Sequence, residues 1–161
     1  MTERNSALPL LHEKQSINIA ASVDRVWAVA GSYADLTWVP AVKKSTPTNG
    51  NIPGSNRTLD FGEAVLTQTL VVYNGPEHTY TYKIDDTANN LRVAPVRNLI
   101  AQISVSATAD GTSLASWEGT FSRVDQSSKP ASGLDDATAK KQISSTFAAG
   151  LVGLKARAEA R

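Results

Sequence analysis

The sequence predicts an α+β fold: a seven-stranded antiparallel sheet covered by one long C-terminal helix, with two short helices after the first strand. Three observations carry this. Between Val42 and Asp125 turn signals recur at spacings too short for crossover helices, so the strands run antiparallel. Within those runs apolar and polar residues alternate, which leaves one sheet face in need of a cover. Beyond Leu134 the period becomes helical and an apolar stripe runs to Ala158.

The first strand is 12–19, where Ile17 and Ile19 alternate with polar neighbours. Ser22 caps a helix that carries Val23, Val26, Trp27 and Ala30 at i, i+3, i+4 and i+7, with Asp24 in its first turn and Gly31 at its end. A second short helix starts at Ser32 and stops at Pro40, just past Trp38. Six strands follow, at 42–47, 57–61, 65–73, 79–84, 98–107 and 114–124, joined as a meander by turns such as Asn74-Gly75-Pro76 and Asp110-Gly111.

The inward face is legible strand by strand. Leu66, Leu70 and Val72 share it, as do Tyr80, Tyr82 and Ile84. Leu99, Ala101, Ile103, Val105 and Ala107 form a third set, and Trp117, Gly119 and Phe121 a fourth. Residues 127–133 are a linker, and 134–160 form one helix of about 40 Å. Asp135 and Asp136 at its start and Lys155 and Arg157 near its end suit the helix dipole. Ile143, Phe147, Gly150, Leu151, Leu154 and Ala158 line one face. A helix-interior glycine costs about 1 kcal/mol against alanine. Gly150 is therefore expected to leave room, for close helix–sheet approach or for a ligand.

Composition narrows the function. The 161 residues form one domain, with 1–11 expected as a flexible N-terminus. With 41% hydrophobic and 19% charged residues the chain is not of the disordered class. A net charge of +1, with Lys43-Lys44 and Lys140-Lys141 the only basic pairs, gives no nucleic-acid footprint. The lack of cysteine excludes disulfides, thiolate-ligated metals and thiol nucleophiles. With only His12 and His78 as histidines, no metal and no cofactor are expected. No segment approaches a membrane span, so the expected protein is cytoplasmic, without stable membrane insertion, and a monomer or homodimer. The sequon at Asn56-Arg57-Thr58 is then a chance match.

The element order resembles the helix-grip fold of the SRPBCC/START-like superfamily: START lipid-transfer domains, the birch-pollen allergen family, abscisic-acid-type receptors and bacterial polyketide cyclase/dehydrase-like proteins, the last being closest in pattern. The resemblance spans about residues 13–160. It is carried by Ala21-Ser22-Val23-Asp24-Arg25-Val26-Trp27, Leu36-Thr37-Trp38-Val39-Pro40, Gly54-Ser55-Asn56-Arg57, Ser116-Trp117-Glu118-Gly119-Thr120-Phe121 and Gly150-Leu151-Val152-Gly153-Leu154-Lys155, in that order. The resemblance implies a curled sheet that wraps the long helix and encloses a cavity, open near 61–64 and 85–97. Where the family often carries an inward glutamate on the fourth strand, this chain has Gln68. Where the family often carries a tyrosine after a P-x-x-N stretch, it has Leu99.

The expected ligand-binding set is Trp38, Arg57, Gln68, Tyr82, Leu99, Trp117, Phe147 and Leu151. Gln68 is either satisfied by protein neighbours or meets a ligand, since a buried amide without a partner costs about 1–3 kcal/mol. Arg57 either clamps a ligand oxygen or pairs with an acid at the rim. Tyr80 and Tyr82 are packing residues or proton donors. His78 is a surface residue or, less simply, a base. The first functional reading is binding of a small hydrophobic, lipid-like or aromatic molecule in an internal cavity. The alternative is a polyketide cyclase/dehydratase-type enzyme working in the same cavity by shaping its substrate and excluding water. A protein-interaction module would instead expose its apolar face.

Overall fold

A computed structural model describes residues 10–160. The elements are β1 (Leu11–Ile19), α1 (Val23–Ala30), β2 (Lys44–Pro47), β3 (Asn56–Asp60), β4 (Val65–Asn74), β5 (Thr79–Lys83), α2 (Ala88–Val93), β6 (Val96–Ala107), β7 (Ser113–Arg123) and α3 (Asp136–Glu159). The seven strands form one sheet in the order β1-β7-β6-β5-β4-β3-β2, antiparallel throughout. Strands β2 to β7 are the expected meander, and β1 closes it along β7, with Leu11 opposite Phe121 and Ile19 opposite Ser113. The flexible N-terminus expected over 1–11 falls mostly outside the described residues; Leu11 itself is already paired.

Helix α1 starts as read: the Ser22 hydroxyl accepts from Arg25 N–H at 3.2 Å, and Gly31 N–H closes the last turn on Trp27 O at 2.7 Å. The second short helix is not where the sequence placed it. Residues 32–42 instead make three separate i to i+3 turns, closed by Asp35, Val39 and Val42 N–H. The Asp35 carboxylate takes both N–H and hydroxyl of Thr37, at 2.9 and 2.5 Å, which offers the backbone an alternative to a helix. Pro40 then removes a donor. The other short helix is α2, inside a stretch that reads as turns. Thr87 caps it by accepting from Asn90 N–H at 3.0 Å, and the buried Asn90 amide donates to Thr67 O and Asp85 O. Tertiary hydrogen bonds, not helix propensity, hold it there.

Alternation fails at two inward positions, Val72 and Ala107. The register of β4 against β5 shifts between Leu70 and Val72, a bulge that returns successive side chains to the wrong faces. Val72, expected inward, is 51% exposed. Tyr73 takes the inward lean and stacks on Tyr80 at 6.2 Å. Ala107 also lies exposed, past the covered length of β6.

Helix α3 is capped by Asp135, which accepts from Thr138 N–H at 2.8 Å. It packs on β1, β7 and α1. Two glycines permit this. A Cβ on Gly150 would lie 2.5 Å from Trp117 Cζ3, and one on Gly153 would overlap the Trp38 carbonyl. The room left by Gly150 therefore belongs to close helix–sheet approach, with Trp117 stacked on Phe147 at 4.7 Å. Over β3, β4 and β5 the helix does not settle, and a hollow remains. Among the described residues no helix is long and apolar enough to cross a membrane.

Candidate ligand cavity

The hollow is an inner chamber of ≈ 70 Å³. The 32–42 corner contributes Leu36, Val39 and Val42; β3 and β4 contribute Leu59, Leu66 and Gln68; Tyr82, Leu99 and Trp117 floor it; α3 closes it with Ile143 and Phe147. Beside it lies an outer groove of ≈ 590 Å³ that runs past Pro40, Ala64, Val93 and Ala149. Val39, Phe61, Leu66, Ala94, Gln142 and Thr146 border both spaces and form the neck. At about 30 Å³ per water, the chamber by itself holds only a small group.

Of the expected set, Gln68, Tyr82, Leu99, Trp117 and Phe147 border the chamber, and Trp38, Arg57 and Leu151 do not. Trp38 is 2% exposed and packs behind Trp117, with ring centres 5.7 Å apart. Leu151 is core beneath the helix. The sequence reading missed Leu59, Phe61 and Ile84 as site residues, although each shares a face with a residue it named. It also missed Val39 and Val42, for which the irregular corner offers no periodic signal.

Arg57 lies one layer behind the chamber and is fully buried. No carboxylate among the described residues meets it. Its Nε donates to Gln68 Oε1 at 2.8 Å, and its Nη1 donates to Tyr33 O and to the Tyr80 hydroxyl, each at 3.0 Å. The guanidinium carbon sits 4.2, 4.9 and 5.5 Å from the ring centres of Tyr33, Tyr82 and Tyr80. Ring faces and neutral oxygens thus stand where a rim acid was one expectation. Nη2 has no partner among the described residues.

Tyr82 is the second polar group at the chamber, its hydroxyl oxygen accepting from Trp117 Nε1 at 3.1 Å. Burial pushes the Tyr82 phenol well above its ordinary range, against the lowering pull of Arg57, so it stays protonated at neutral pH. Burial does the same to Tyr33. His78 lies outside the chamber, at φ 56°, with its ring edge-on to Trp27 at 5.5 Å. No group of three His, Asp or Glu among the described residues is arranged to hold a metal.

Comparison with known proteins agrees with this architecture. Residues 12–159 match the family model described as polyketide cyclase / dehydrase and lipid transport. An uncharacterised protein of Bacillus thuringiensis is 27% identical, with a TM-score of 0.75 over 91% of this chain and 98% of that one. The protein XoxI of Bacillus cereus is 28% identical, with a TM-score of 0.75 over 91% and 94%. The ZhuI aromatase/cyclase of a Streptomyces species is 16% identical, with a TM-score of 0.67 over 94% of each chain, and shares the fold. No curated protein matches the sequence.

Proposed function

We propose, for a chain that belongs to the polyketide cyclase / dehydrase and lipid transport family, that it binds a small, mostly apolar molecule between the sheet and α3. The body of the ligand lies in the outer groove and its leading end enters the inner chamber. One observation carries this reading: an apolar chamber inside the domain shares six lining residues with an apolar groove at its surface. An unfilled apolar cavity of ≈ 70 Å³ costs about 2 kcal/mol at ~24 cal/mol per Å³. A ligand end that fills it recovers that cost.

Binding is favoured over cyclase or dehydratase chemistry by the groups at the chamber. Its polar lining is Gln68, Tyr82, Gln142 and Thr146. None is a base at neutral pH, and the Tyr82 phenol is held protonated. Native mass spectrometry of the purified protein is expected to show a retained small molecule. Calorimetry is expected to show binding of apolar phenols or fatty acids and none of nucleotides. Binding of nucleotides alone overturns the reading, and turnover of an aromatic polyketide precursor replaces it with the enzymatic one.

A further inference from the structure

We infer that Arg57 is a positioning residue that makes the inner chamber a donor-only site, so that it selects molecules entering with a carbonyl-type oxygen first over those leading with an amine. This rests on the binding reading above and adds the polarity of the ligand's leading end.

A guanidinium has five N–H donors, no acceptor, and does not lose its proton in proteins. Arg57 Nε lies 2.8 Å from the Gln68 side-chain amide, inside a fully buried pair. Only the amide oxygen satisfies that contact; the reversed amide would set donor against donor. The Gln68 carbonyl is thereby committed to Arg57. Its Nε2, with two N–H groups, is the end left for the chamber that Gln68 lines, and it has no protein partner among the described residues.

Tyr82 repeats the logic. Indole Nε1 of Trp117 donates only, so the Tyr82 oxygen is the acceptor in their 3.1 Å contact. The phenolic proton is then free for another acceptor. The remaining polar lining, Gln142 and Thr146, sits exposed at the neck, where the Thr146 hydroxyl already donates to Gln142 O at 2.8 Å. The deep end therefore offers two donors backed by a buried cation that no carboxylate among the described residues neutralises. A carbonyl, aldehyde or carboxylate oxygen satisfies such a site. An ammonium group meets donors and like charge, and a hydrocarbon leaves the donors unpaired.

Three naphthalenes of similar shape test this by calorimetry on the full chain: 2-acetylnaphthalene, 2-ethylnaphthalene and 1-(2-naphthyl)ethylamine. The ketone is expected to bind about tenfold tighter than the ethyl compound, the worth of one to two buried hydrogen bonds, and the amine weakest of all. Gln68→Glu keeps an acceptor for Arg57 but brings no N–H to the chamber; the ketone's advantage is expected to fall about threefold or more while the melting temperature holds. Arg57→Met frees the amide to turn, and is expected to narrow the gap between ketone and amine. If that variant does not fold, Gln68→Glu decides the matter. The infrared carbonyl stretch of the bound ketone supplies a signature that loss of packing does not imitate: it lies below its value in hexane, and moves back toward it in Gln68→Glu. Equal affinity for the three probes, preference for the amine, or an unshifted carbonyl stretch overturns the donor assignment and leaves the apolar-binding reading standing. Binding of none of the three overturns both.

Discussion

Helix α3 meets the sheet in two ways. Along β1 and β7 contact is close, because Gly150 lacks the carbon that would collide with Trp117; Gly153 allows the same approach to the 32–42 corner at Trp38 and Pro40. Over β3 to β5 the helix stands off and leaves the chamber and groove. Ile143 and Phe147 of the buried helix stripe border the chamber, and Gly150 of the same stripe meets Trp117. The difference lies in what the sheet presents. On the close side a flat indole fits beneath a bare helix backbone. On the open side the sheet carries Arg57 and Gln68: the Gln68 amide oxygen accepts from Arg57, whose Nη1 donates to Tyr33 O and the Tyr80 hydroxyl. One helix thus serves as both lid and wall, according to where its glycines fall.

Adding carbon to each half is the sharpest way to break that contrast. Gly150→Leu drives a side chain into Trp117, and is expected to cost about 3 kcal/mol and to lower the melting temperature by roughly 10 °C, measured by scanning calorimetry. A cost below about 1 kcal/mol would show that the close half has slack. Leu99→Phe adds carbon to the hollow half. There the expected stability change is under about 1.5 kcal/mol, while the affinity for 2-ethylnaphthalene falls about tenfold as the chamber fills. Unchanged affinity would place the ligand elsewhere.

Smaller effects test the seam between the halves. Tyr82→Phe deprives Trp117 Nε1 of its acceptor and is expected to cost about 1 kcal/mol in urea denaturation. The smallest effect concerns the segment leading into α3. Hydrogen bonds from Ser127 and Ala131 hold the Asp125 carboxyl near pKa 2, against an ordinary 3.8. A depressed carboxyl contributes stability in full above 3.8, and that contribution is lost as pH falls toward 2. Carbon-detected NMR is expected to give an Asp125 midpoint near 2. A midpoint near 3.8 would mean that these bonds do not hold the segment.

Sequence alone determined the strand count, the antiparallel order, the inward faces and the helix that covers them. All follow from periods of two and 3.6, which are properties of the chain's own geometry. Those periods also brought Gln68, Tyr82, Leu99, Trp117 and Phe147 into the correct layer. They failed where specific hydrogen bonds or strand pairing, near or far in the chain, outweighed the period. The bulge after Leu70 turned Val72 outward, Asp35 replaced a helix with turns, and Asn90 fastened a helix where the chain reads as loop. Tertiary structure alone decided which inward residues meet empty space and which meet protein. Arg57 and Gln68 face inward on adjacent strands, yet one lies behind the wall and the other in it. Periodicity gives the side of a sheet on which a residue stands. Whether space remains there depends on how closely the helix approaches, and Gly150 and Gly153 set that approach from the far half of the interface.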